Sequence, residues 1–216
     1  MLIRSLPPHP GPKKPPKKEQ PSEIGAEKTP SQHVGNAAFG VASLLGTVAN
    51  VKRLARISSA TPVAKLVPGI NLVAAGIEGV NAAHKYRAGE KVVALTSTGN
   101  ALGCVSAFLS ESSLLALRLQ RTGLAAALAA GGGVVGLVAG TIEVNQGRKL
   151  KKSTGSSRTL TMGVLDLTSG VTSLAGAAMV NKGLRPQLGM TLLIGSGMID
   201  MAGIGVDYLW PAGKNR

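Results

Sequence analysis

Aromatic side chains are almost missing from this chain of 216 residues, in which Phe, Trp and Tyr together make up 2%. Large rings supply much of the buried area of a water-soluble core, so a core of the usual kind is hard to build here. Cysteine occurs once, at Cys104 within an apolar run, which excludes an intrachain disulfide and a thiolate metal cluster. A buried, inert thiol is the reading that remains. His9, His33 and His84 lie too far apart for metal-ligand spacing. Acids are scarce too, 10 against 24 Lys and Arg, for a net charge of +14. Nucleic acid would suit that charge, but stacking aromatics and reading motifs are missing. An anionic lipid surface fits it better. Walker, G-x-S-x-G and paired His/Glu motifs are likewise missing. Gly131 to Gly136 does spell G-x-G-x-x-G, yet an Ala-rich helix precedes it instead of a strand, and Arg148 to Lys152 follow where a ribose-binding acid is needed. Neither an enzyme nor a cofactor is expected.

What is abundant is small and apolar: the chain is 44% hydrophobic and holds 29 Gly. Small residues let transmembrane helices pack backbone against backbone. The sequence also repeats. Gly35, Asn36 and Ala37 recur as Gly99, Asn100 and Ala101, and an Ile followed by an acid appears at Ile77-Glu78, Ile142-Glu143 and Ile199-Asp200. Val80-Asn81 and Val144-Asn145 follow the first two pairs, and the third copy departs as a terminal repeat often does. The expected fold is all-α and membrane-inserting: six Gly/Ala-rich helices in three hairpins, 34–88, 90–150 and 159–210. A disordered Pro/Lys-rich arm, 1–33, precedes them and a polar tail, 211–216, follows. The arm is no secretory signal peptide, because prolines begin at Pro7 after a very short apolar stretch.

The six apolar runs are Val34 to Val51, Leu66 to Ala83, Val92 to Ser110, Thr122 to Ile142, Leu160 to Val180 and Leu188 to Val206, with Glu111 to Arg121 as a polar, partly helical connection. Helices of this length cross a hydrocarbon core of about 30 Å. Gly, Ser, Thr and Asn dilute each run, and a central acid costs on the order of 3 kcal/mol on insertion scales. The runs are therefore marginal spans, compatible with a soluble or chaperoned state and an inserted one. If all six cross, the bias of basic residues places both termini on the cytoplasmic side.

Three groups of residues are candidates for function. Gly132, Gly136 and Gly140 form a ridge with a spacing of four, and Gly99 with Gly103 forms a shorter one. Such ridges serve either packing within a hairpin or association between copies. Glu78, Glu143, Asp166 and Asp200 are the acids in or at the ends of the apolar runs. Buried in a membrane, they could attract cations or act as a proton switch, whereas an acid near a helix end is merely interfacial. Glu143, close to Arg148, fits the interfacial reading, and Asp200, deeper in its run, does not. Lys13, Lys14, Lys17, Lys18, Arg148, Lys149, Lys151 and Lys152 form the basic groups expected at an anionic membrane surface.

With its Gly132/Gly136/Gly140 ridge, diluted apolar helices and basic Pro/Lys arm, the chain resembles the glycine-zipper membrane-inserting effectors that bacteria deliver into neighbouring or host cells. That resemblance implies a secreted toxin that forms a homo-oligomer and opens an ion-conducting path. An immunity protein or a secretion chaperone would be its protein partner. It does not resemble the mitochondrial carriers, whose repeat signature is missing. Two alternatives stay open: a resident multi-pass membrane protein with a scaffolding role, and a soluble all-α interaction protein.

Overall fold

The structure, a computed structural model, describes residues 63–181, 183 and 186–209, together with the isolated helical positions Val34, Ala37, Val41 and Leu45. The arm with Lys13, Lys14, Lys17 and Lys18, most of the first apolar run and the polar tail lie outside the described residues. What is described is all-helical: α1 (Val63–Arg87), α2 (Lys91–Arg118), α3 (Thr122–Thr154), α4 (Arg158–Asn181) and α5 (Pro186–Leu209). Four of these helices are long and apolar enough to cross a membrane: Leu66–Arg87, Lys91–Arg118, Thr122–Lys152 and Arg158–Asn181.

Two helices run past their expected limits. The stretch 111–118 continues α2, because Ser113, Leu114 and Ala116 are buried and Leu119 is the first residue past the helix. The connection expected over Glu111 to Arg121 thus shrinks to three residues. α3 likewise continues beyond Ile142 through the basic cluster, and Gly155 ends it in the left-handed region at φ 73°, its N–H donating to the Lys151 carbonyl at 3.0 Å. Gly suits that site because it has no Cβ to clash. The tight α2–α3 turn lacks such a glycine, and Gln120 takes φ 58° instead.

Short turns make sequential helices antiparallel neighbours. α1 packs on α2, α2 on α3, α3 on α4 and α4 on α5, with lighter contacts from α2 to α4 and α5. The α3–α4 pairing is the most extensive, although it joins two different expected hairpins. Packing therefore does not set the hairpins apart as units. One end of the bundle, with turns 88–90 and 155–157, carries Lys85, Arg87, Lys91, Arg148, Lys149, Lys151, Lys152 and Arg158. The opposite end carries Arg118 and Arg121 among the described residues.

Glycine sets the closeness of α3 and α4. A Cβ on Gly133 would stand 2.8 Å from the Gly170 carbonyl oxygen, and one on Gly140 would stand 2.7 Å from both the Gly163 oxygen and the Leu167 nitrogen. Gly147 continues the row against Leu160. The spacing is seven residues on α3 (133, 140, 147) and on α4 (163, 170), which keeps one seam facing its partner over two turns per step. Serine hydroxyls tie the seams to neighbouring backbone. Ser106 Oγ donates to the Gly132 carbonyl at 2.8 Å, Ser173 Oγ to Ala129 at 3.0 Å and Ser169 Oγ to Ser196 at 3.3 Å.

The bundle buries many polar groups beside its apolar core and turns large apolar side chains outward. Asn71, Glu78, Ser97, Ser106, Ser113, Glu143, Gln146 and Ser173 are buried, while Leu72, Val73, Val80, Leu95, Val134, Val138, Val164 and Val171 face outward. Val73 is 60% exposed and Glu143 1%. An exterior of this sort is matched by lipid, which needs no polar surface, and an interior of this sort by helices that hydrogen-bond to one another. An apolar cluster, Leu114, Ala126, Ala129, Ala177, Val180, Leu193 and Ile194, fills the end opposite the basic turns.

Candidate functional site

The four acids of the apolar runs fall at one depth. Glu78 lies nine residues before the end of α1, Glu143 eleven before the end of α3, Asp166 eight after the start of α4 and Asp200 nine before the end of α5. At 1.5 Å per residue, each stands about 12–17 Å in from the basic end. Antiparallel neighbours run past each other in opposite directions, so this coincidence is a property of the assembled bundle.

The layer closes around α2. Cys104, buried on that helix, lies within the electrostatic reach of Glu78, Asp166, Glu143 and Asp200. The carboxyls of Glu143 and Asp166 meet within hydrogen-bonding reach across α3 and α4. Asp200 lies beside Ser169, whose hydroxyl donates to the Ser196 carbonyl. Two carboxyls at that separation repel when both are charged, so the contact needs a positive particle between them. Lysine and arginine are not at hand: 92–117 of α2, 122–147 of α3 and 159–181 of α4 contain neither.

Glycine makes room for these acids. A Cβ on Gly99 would meet Glu143 Cγ at 2.7 Å and Oε1 at 3.1 Å, and one on Gly103 would meet Asp166 Oδ2 at 3.3 Å. Gly99 and Gly103 therefore face carboxyl side chains, not a neighbouring backbone as a packing ridge would. Gly132, Gly136 and Gly140 do not share one partner either. Gly132 faces Ser106 and Ser110 of α2, Gly136 sits between Ser106 of α2 and Gly170 of α4, and Gly140 faces α4. All three are buried within the chain.

Glu143 is not at a helix end, as its closeness to Arg148 in sequence implied. α3 runs eleven residues further, and the Glu143 side chain turns inward between Gly99 and Gly163. Arg148, Lys149, Lys151 and Lys152 are exposed on that extension. Sequence reasoning missed Gly133, Gly147, Gly163 and Gly170, whose signal was a period of seven instead of four. It also missed Gln146 and Asn100, polar residues of the acid layer. Among the described residues no three His, Cys, Asp or Glu side chains gather closely enough to hold a metal ion.

Compared with family models, with curated proteins and with solved structures, the chain matches none.

Proposed function

We propose that this protein inserts into lipid bilayers and provides an ion-conducting path through its acid layer, acting as a delivered effector that dissipates a target cell's membrane potential. The observation that carries the reading is the distribution of polarity: carboxyl, amide and hydroxyl groups are buried within the bundle while many Val and Leu side chains face outward. Charged groups at mid-depth are expensive in a bilayer and are kept where they line an ion or proton route. The expected architecture, three hairpins behind a Pro/Lys arm, belongs to the same proposal. So do the anionic lipid partner, the homo-oligomer and the immunity protein or secretion chaperone. Basic side chains of the α3 extension would lie at the headgroups on one side.

The test is single-channel conductance and dye leakage after adding purified protein to anionic and neutral liposomes. Discrete steps are expected, with Gly136→Leu abolishing them by forcing α3 away from Ser106 and Gly170, and Asp200→Asn changing selectivity. Silence in both lipids at high protein-to-lipid ratio overturns the proposal.

A second reading is a resident membrane scaffold. Gly132, Gly136 and Gly140 favour it, because helices of the same chain already occupy them. Extraction from washed membranes of the native producer only by detergent, without conductance, would establish it. A monodisperse, detergent-free monomer that ignores liposomes would replace both with a soluble interaction protein.

A further inference from the structure

We infer that the layer around Glu143 and Asp166 is a binding site for a dehydrated alkali-metal cation, Na+ or K+, held by the two carboxyls and the amide oxygens of Asn100 and Gln146. The inference deepens the ion-conducting reading and rests on it for the ion's role, while binding itself can be measured apart from conduction.

Three buried oxygens in this layer have no hydrogen-bond partner: Glu143 Oε2, Gln146 Oε1 and Asn100 Oδ1. Glu143 and Gln146 are 1% and 4% exposed, and their spacing of three residues places them on one face of α3. Asn100 follows Gly99, the residue against which the Glu143 side chain packs. Asn100 lies nine residues into α2 and Gln146 eight before the end of α3, the same depth as the acids.

A proton between Glu143 and Asp166 would satisfy their contact but would leave both amide oxygens unfilled. A cation meets several oxygens at once, as carbonyl oxygens do when they replace an ion's hydration shell. Hard cations take oxygen ligands. With one of the two carboxyls protonated, one carboxylate and several neutral oxygens suit a single positive charge, and among the described residues no third carboxyl, His or Cys gathers to favour a transition metal or calcium. Space is provided by Gly99 and Gly103, where a methyl group would press on Glu143 and Asp166.

The experiment is equilibrium binding of radiolabelled sodium to the full chain in detergent micelles, at fixed pH and ionic strength, with choline as the inert cation. Saturable binding near one ion per chain is expected, displaced by KCl if the site accepts both ions and insensitive to choline. Asp166→Asn and Gly99→Ala should each weaken it by about tenfold or more, equivalent to roughly 1.4 kcal/mol. Glu90→Gln, which removes a surface acid paired with Lys85 at 3.1 Å, should leave it unchanged. No saturable sodium binding by the unaltered chain overturns the inference and leaves a shared proton in the contact. An equal loss in Glu90→Gln overturns it as well, since binding would then be general surface attraction. Binding without conductance would refute the permeation reading alone, and conductance without binding would refute this site alone.

Discussion

Adding one methyl group at two glycines should move stability in opposite directions. In Gly140→Ala the new Cβ would stand 2.7 Å from the Gly163 carbonyl oxygen and the Leu167 nitrogen, both backbone atoms that cannot swing aside. Ordinary contact begins near 3.4 Å, so α3 and α4 must part by about 0.7 Å at that point. A gap of that size forfeits about a quarter to a half of each dispersion contact beside it. Overpacking of this kind costs about 1–3 kcal/mol, while replacing a helical Gly by Ala returns about 1 kcal/mol. The expected net is a loss of about 1 kcal/mol. In Gly76→Ala nothing lies within 4 Å of the new Cβ, so only the helix-propensity gain of about 1 kcal/mol applies. The two variants should therefore differ by about 2 kcal/mol, roughly a thirtyfold change in the folded-to-unfolded ratio. Unfolding in mixed micelles by SDS, followed by circular dichroism, reads the difference. If both variants shift the midpoint the same way by the same amount, the closeness of α3 to α4 assigned here is wrong.

Other substitutions test separate contacts. Ser106→Ala removes the 2.8 Å bond to the Gly132 carbonyl and should cost about 0.6–2 kcal/mol in the same titration, the range measured for such bonds between membrane helices. Gln120→Gly should stabilise by about 1 kcal/mol, because a left-handed φ of 58° strains any residue with a Cβ; a loss would show that the Gln120 side chain holds the turn. Cys104, 3% exposed, should resist a charged maleimide in folded micelles and react on unfolding, and rapid labelling of the folded protein would contradict its place inside the acid layer. Gly99→Ala should leave the helical spectrum intact while weakening sodium binding, since its methyl group meets the Glu143 side chain.

The sequence was enough for some of these elements because their causes are local. Apolar runs without charge between basic turns already specify helices, and α1, α4 and α5 lie close to the runs written into the chain. The recurrent Ile-acid pair marked Glu78, Glu143 and Asp200 as the acids set into apolar stretches. Limits set by tertiary contact were not legible in the same way. The chain over Glu111 to Arg121 reads as a polar, partly helical connection until Leu114 is seen packed among Ala126, Ala177 and Leu193. Glu143 reads as interfacial until α3 is seen to continue for three more turns.

Composition and period, which act along one segment, determined by themselves an all-helical chain of small residues with acids set into apolar stretches. Pairing in space alone decided what those residues do for one another. The antiparallel turns bring Glu143 of α3 and Asp166 of α4 to one depth, and only the approach of α2 shows that Gly99 and Gly103 clear space for carboxyls while Gly133, Gly140 and Gly147 clear space for a backbone. A glycine has no side chain to show in the sequence which neighbour it admits, so its partner is defined only when the helices meet.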